Sequence, residues 1–226
     1  LYLANIASHV TVVHRRDTLR ASKLRPYEPS SRVTTPVLER LAEHGTLFSM
    51  AQSQENWTKP SVASVLTGLS PPTHHATTDA ASLPDSAELV SEAFEDAGFA
   101  TGSFIANGYV SDRFGFDQGW GSYANYIRDG GSTDGADVFR LAGDWVEAHA
   151  SERFFVYVHT IDPHVPYDPP AEYVAMYDPR TDYTGVVTPR GTPGVLHGAG
   201  RNPPTITLTA SDVTRLEALH DGAISY

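Results

Sequence analysis

The feature that most constrains this chain is an alternation of helix-period segments with short apolar runs. VLERLAEHG after Thr34-Thr35-Pro36, SAELVSEAFEDAGF and ADVFRLAGDWVEAHA are amphipathic stretches of helical length. Between and around them lie compact runs rich in β-branched and aromatic residues: HVTVV at 9–13, TLFSMAQ at 46–52, ATGSFIA at 100–106 and RFFVYV at 153–158. In the first helix Leu38, Leu41 and Ala42 share a face and Gly45 marks the stop; in the second Leu89, Val90, Ala93 and Phe94 do so, with Gly98 as the stop. A short helix is predicted over 61–66, closed by Thr67-Gly68, and a last one over SDVTRLEALHDGAI. Strands separated by helices of this length favour crossover connections. The expected fold class is therefore α/β, a mostly parallel sheet with helices on both faces.

Composition narrows this further. With 226 residues, 40% of them hydrophobic, the chain can bury one core, and two compact domains would be a tight fit. Residues 1–226 are therefore taken as belonging to a single domain. Residues 165–207, rich in Pro, Gly and Thr, are expected to form a long irregular loop within it, and the Gly- and Asp-rich stretch through Gly135 another. A formal charge of −11 disfavours nucleic acid or an anionic membrane as a partner. The absence of cysteine excludes disulfides, thiolate zinc sites and a cysteine nucleophile. No apolar run is long enough to span a membrane, and LYLANIASHV is not a persuasive signal peptide.

The chemistry concentrates where strands end, which is where open α/β sheets place their sites. Three segments stand out: Asp17-Thr18-Leu19-Arg20, the run NWTKPSVASVLTG from Asn56 to Gly68, and HTIDPHVPY from His159 to Tyr167. Pro60 has a φ suited to a first helical turn, so Thr58 is placed at a helix start. A hydroxyl there lies over free N–H groups and the positive end of the helix dipole, a seat for a tetrahedral anion. The same residue type is also a common N-cap, and both readings stay open. Asp17 is an oxygen ligand for a hard cation or a turn-capping carboxylate. His164 lies in a Pro-rich turn two residues after Asp162, where its imidazole can donate a proton or the Asp162-Pro163 step can be a plain turn. His159 is either a second cleft residue or a satisfied histidine at a strand end. Asn107 is either an amide donor or a cap, and His74-His75 are taken as loop. Asp and Gly in 129–135 lack the EF-hand spacing.

Taken together and in order, these segments resemble the sulfatase family of the alkaline-phosphatase superfamily. The matching passages are DTLR, TTPVLERLAEHGTLF, WTKPSVASVLTGLSP, AFEDAGFATGSFIAN and FFVYVHTIDPHVPYDPP, so the resemblance spans nearly the whole chain. It implies an alkaline-phosphatase-like sheet and metal-dependent hydrolysis or transfer of sulfate or phosphate esters. It makes Thr58 a metal-bound nucleophile, Asp17 the first metal ligand, and His164 the leaving-group residue. Asn107 and His159 become substrate-binding candidates, and the ion is divalent (Ca, Zn or Mn).

Departures refine the expectation. Threonine cannot yield the formylglycine that classical sulfatases make from Cys or Ser. It resembles instead the nucleotide pyrophosphatase and lipoteichoic-acid synthase branches, which favours phosphodiester or phosphoryl-transfer chemistry. Val62 replaces the usual Arg, His14-Arg15-Arg16 precede Asp17, and Thr18 and Ser22 stand where a second acid is usual. No string like the family's downstream Asp-His or Asp-Asn loop is present, so the match is expected to cover the N-terminal part of such a domain. Weak metal binding, little turnover and an exposed sheet edge are expected to follow. The alternatives are a sulfatase proper and a catalytically inactive binding module. The family's usual location gives a lean towards an extracytoplasmic protein.

Overall fold

The computed structural model describes residues 21–226. In chain order the elements are a 3₁₀ turn Ala21–Lys23, α1 (Pro36–His44), α2 (Thr58–Thr67), α3 (Pro71–His74), α4 (Val90–Asp96) and β1 (Ala100–Ile105). A 3₁₀ turn Asp112–Phe114 follows, then β2 (Ser122–Asn125), α5 (Tyr126–Asp129), α6 (Gly135–Ala148), β3 (Phe154–His159), α7 (Ala171–Ala175), α8 (Thr192–Ala199) and α9 (Ala210–Ser225). They fall into two compact units, residues 51–161 and residues 21–50 with 162–226. HVTVV and Asp17 lie outside the described residues. Among the described residues no helix is long and apolar enough to cross a membrane.

The first unit is built on a three-stranded, wholly parallel sheet in the order β2-β1-β3. Register pairs Gly102 with Val156 and Phe104 with Val158 on one face, and Ser103 with Tyr157 and Ile105 with His159 on the other. Helix α6 covers the first face. Its Val138, Ala142 and Val146 are fully buried at a spacing of four, so they form one stripe. Trp145 packs edge-on to Phe104, donates from Nε1 to Ser122 Oγ at 3.0 Å, and sits so close over Gly102 that a Cβ there would touch its ring. The second face carries a core of Val62, Leu66, Leu89, Ile105, Val110 and Phe116, with Phe94 of α4 stacked on Phe155 at 4.3 Å. Helices thus lie on both faces of a parallel sheet, and the central strand β1 is buried from Thr101 onward.

The second unit is helical around Val174, Val187, Val195, Ala218 and Leu219. Thr209 and Asp212 form a capping box that starts α9. Near the other end of that helix Asp221 is fully buried, with Lys23 Nζ at 2.8 Å and an Arg32 nitrogen at 2.7 Å. Burial alone would raise its pKa, but hydrogen bonds from His220, Lys23 and Arg32 outweigh that and hold it at about 2.

Several expectations differ from the structure. TLFSMAQ forms no strand: Leu47, Phe48 and Met50 are all exposed, so its apolar side chains find no face to bury. The stretch between β1 and Gly135 contains β2 and α5, held by parallel pairing to β1 rather than by any apolar pattern of its own. Helix α4 starts at Val90, where Leu89 N–H is capped by Glu92 Oε2 at 2.7 Å. Residues 165–207 contain α7 and α8, the latter entered through Pro193 in its first turn, which fixes φ for helix.

Two stability tests follow. Gly119 has φ +69°, and a Cβ there would overlap the backbone of Glu92, whereas Gly130 has φ +73° and open space around it. Gly119→Ala should cost roughly 3 kcal/mol and Gly130→Ala about 1 kcal/mol, read from denaturant midpoints. Asp221 ionises more readily folded than unfolded, so its contribution is complete above the ordinary 3.8 and is lost as pH falls towards about 2. Asp221→Asn should be about 2 kcal/mol less stable at neutral pH and lose less stability across that acid window.

Candidate functional site

Helix α2 runs from Thr58 to Thr67, three residues longer at its start than the predicted 61–66. Pro60 is accommodated because the third helical residue needs no N–H, and Gly68 ends the helix at φ 68° with its N–H on Ser64 O at 2.9 Å. Thr58 is therefore the first helical residue rather than the N-cap. The cap position belongs to Trp57, at φ −136° and ψ 165°, whose side chain makes no capping hydrogen bond. Ser61 N–H reaches back to Trp57 O at 3.4 Å, while among the described residues the Thr58 and Lys59 amides have no acceptor. The helix thus presents two N–H groups and its positive end beside a half-buried threonine.

The approach to this turn is pinned. The Ser53 and Ser61 hydroxyls both donate to Glu55 O, at 2.7 and 2.8 Å. Val62, which stands where an arginine is usual in the resemblance, is buried with Leu66 and Ile105. On the same helix Ser64 Oγ lies 3.1 Å from His74 Nε2, and His74 Nδ1 accepts from Ala76 N–H at 3.1 Å. That acceptor role puts the single ring proton on Nε2, and burial pushes the imidazole pKa down. His74 ends a short helix and His75 is its left-handed cap at φ 60°, so the pair expected as loop is an ordered turn against α2.

Trp57 meets Tyr109 edge-on at 5.5 Å, which brings the start of α2 to the loop that leaves β1. In that loop Asn107 is buried, its Oδ1 accepting from Tyr109 N–H at 2.9 Å and its carbonyl accepting from Asn125 Nδ2 at 3.0 Å. These bonds make Asn107 a turn-capping residue as it stands. His159 closes β3, half-buried, with Nδ1 3.0 Å from the Tyr157 hydroxyl, and its carbonyl takes Ala106 N–H at 2.8 Å. Thr58, Asn107 and His159 thus belong to the sheet unit and gather where its strands end. His164 belongs to the helical unit. It is exposed, and its Nδ1 lies 2.8 Å from Val165 O, an acceptor, so Nδ1 carries a proton.

Lys59 is a residue that sequence reasoning passed over. It is fully buried, its Nζ donating to Asp79 O and Ala81 O at 2.8 Å each and lying 3.6 Å over the Phe114 ring. Nothing in a Lys-Pro dipeptide announces a core lysine.

A threonine at a helix start, beside the carboxyl edge of a parallel sheet with helices on both faces, places the chain in the α/β fold class. The Sulfatase family model matches residues 16–198, and the chain belongs to the sulfatase family. In structure it is similar to the phosphonate monoester hydrolase of Agrobacterium radiobacter, with a TM-score of 0.66 and 16% sequence identity over 93% of this chain. The chain spans 55% of that protein's length. A search of curated proteins finds no match. Members of the family are generally dependent on a divalent metal. Among the described residues no group of three or more His, Asp or Glu could hold one, so these residues do not by themselves fit such an ion.

Because the folded state favours neutral His74, stability should be intact above pH 6.5 and fall as pH drops below it. Thermal unfolding between pH 7.5 and 5 should show that slope, and His74→Gln should flatten it.

Proposed function

We propose that the chain carries the nucleophile of a hydrolase or transferase of phosphate or sulfate esters, with Thr58 as the attacking group. One observation carries this reading: Thr58 opens an uncapped helix of ten residues inside the stretch matched by the family. The free amides of Thr58 and Lys59 suit the equatorial oxygens of a transferring phosphoryl or sulfuryl group, whose negative charge the helix end stabilises.

In the proposed sequence Thr58 Oγ bonds to phosphorus or sulfur and loses its proton to water, while the bond to the ester oxygen breaks. The departing alkoxide takes a proton, for which His164 is the proposed donor, and leaves as alcohol; the proton that Thr58 gave to water restores His164. Water then attacks the Thr58 ester, returning the hydroxyl and releasing phosphate or sulfate; an acceptor alcohol in place of water makes the reaction a transfer. Asn107 and His159 line the approach from the sheet edge. Asp17, which lies outside the described residues, is proposed with Thr58 as a ligand of a divalent ion (Ca, Zn or Mn). An unmodified threonine favours phosphodiesters over sulfate esters, with sulfate-ester hydrolysis as the variant within this reading. The burial of Val62 supports a second reading, a sulfatase-like binding module without turnover.

The test combines turnover with anion binding on the 226-residue chain. Aryl phosphodiester, phosphomonoester and sulfate substrates are offered with Mn²⁺, Zn²⁺ or Ca²⁺, and vanadate binding is followed by calorimetry. Any hydrolysis should fall by ~10³-fold in Thr58→Ala. A rate that Thr58→Ala leaves unchanged overturns the proposal. Silence of the full-length protein with every substrate, combined with vanadate binding that Thr58→Pro abolishes, selects the binding module.

A further inference from the structure

We propose that Lys59 is a positioning residue for the Thr58 site, its buried ammonium clamping the first turn of α2 so that the Thr58 and Lys59 amides hold a trigonal-bipyramidal transferring group. The inference rests on the reading of Thr58 given above and deepens it.

Lysine is among the residues least often fully buried, because its charge must leave water and its long side chain loses rotamer freedom. Lys59 is nevertheless 0% exposed. Its partners are two backbone carbonyls, Asp79 O and Ala81 O, at 2.8 Å, and three ring faces: Phe114 at 3.6 Å, with Trp57 and Tyr109 at 5.8 Å each. Among the described residues no carboxylate side chain is bonded to the ammonium. The charge also sits at the positive end of a helix, where the dipole disfavours it. Neither helix stability nor apolar packing calls for a lysine here, since methionine would fill similar volume without the desolvation cost.

What the ammonium does provide is a three-way tether. It fastens the second residue of α2 to the 79–81 loop by two charge-assisted hydrogen bonds and to the 109–114 loop through aromatic faces. Trp57, which holds the cap position, is gripped by the same cation and by Tyr109. The backbone N–H of Lys59 is itself one of the two free amides, so anchoring the side chain anchors a donor. A donor pair that must match a transferring group within a fraction of an ångström gains from such a fixed mount.

The test compares vanadate, which adopts the five-coordinate geometry, with phosphate, which stays tetrahedral. Binding of each to the 226-residue chain is measured by calorimetry well below the melting temperature of every variant. Thr58→Pro, which removes one amide and the hydroxyl while suiting both the helix start and the extended Trp57, should abolish binding of both anions. If wild type binds neither anion, or Thr58→Pro changes nothing, the Thr58 reading itself fails and this inference goes with it. With that control in place, Lys59→Met should weaken vanadate roughly 10- to 100-fold and phosphate by less than about threefold. Phe114→Leu, a milder loosening of the same clamp that also serves if Lys59→Met does not fold, should weaken vanadate by about 3- to 10-fold. A lowered melting temperature with an unchanged vanadate-to-phosphate ratio in the folded variants would show a merely structural lysine and overturn the proposal.

Discussion

Parallel pairing of β1 with both of its neighbours is the constraint on which the sheet unit depends. Parallel strands cannot be joined by a tight hairpin, so the chain must leave each strand at its carboxyl end and return along a face of the sheet. The return between β2 and β3 is made by α6, whose buried stripe covers the Phe104 and Val158 face. Helices α2 and α4 cover the Ile105 face. All strand exits then fall on one edge, and Asn107, Asn125 and His159 collect there whatever their role. The hydrogen bonds from Asn125 Nδ2 to Asn107 O and Val110 O, at 3.0 and 2.8 Å, stitch two of those exits together. The edge is ordered by the sheet before any ligand chemistry is asked of it.

Polar groups buried in this unit are spent on the same edge. His74 ties α2 to the turn after α3, Ser61 ties it to the segment before it, and Lys59 ties it to two loops. Each replaces hydration with a defined partner, which is the condition for a polar group to be buried at modest cost. In the helical unit the comparable feature is Asp221, which gathers Lys23 and Arg32 onto α9 and so fastens an early segment to a late one. Its partners remain partly exposed while it is fully buried, so most of the desolvation cost falls on the carboxylate.

The sequence made some of this legible and hid the rest for physical reasons. Helix α6 stood out because its apolar periodicity matches the face it buries, while α1, α9, β1 and β3 stood out by length, composition and flanking stop residues, although α1 buries no residue fully and β3 is half-buried throughout. Strand β2 did not, since four residues reading Ser-Tyr-Ala-Asn carry no period and form a strand only because β1 offers them partners. TLFSMAQ erred in the other direction: an apolar run of strand composition lies exposed, because composition specifies no partner. The ordered motifs around Thr58 identified the family, and the match over residues 16–198 confirms that resemblance. The burial of Lys59 and the capping bonds of Asn107 were invisible, because both depend on groups brought in from distant parts of the chain.

The start of α2 bears on whether this copy of the fold is a catalyst or a scaffold. Tryptophan is a poor N-cap, and Ser, Asp or Asn at position 57 would satisfy a free amide and stabilise the helix by about 1 kcal/mol. Any of those side chains would also occupy the space in which an oxyanion would sit. Amides without an acceptor among the described residues and a buried ammonium beside them are two separate costs to stability, and both fall on the same turn. A turn selected for stability alone would shed both. Their coincidence at the turn proposed to carry the attacking threonine is what an open anion seat would require, and the burial of Val62 bears on how a bound anion would be activated rather than on whether it would have a seat.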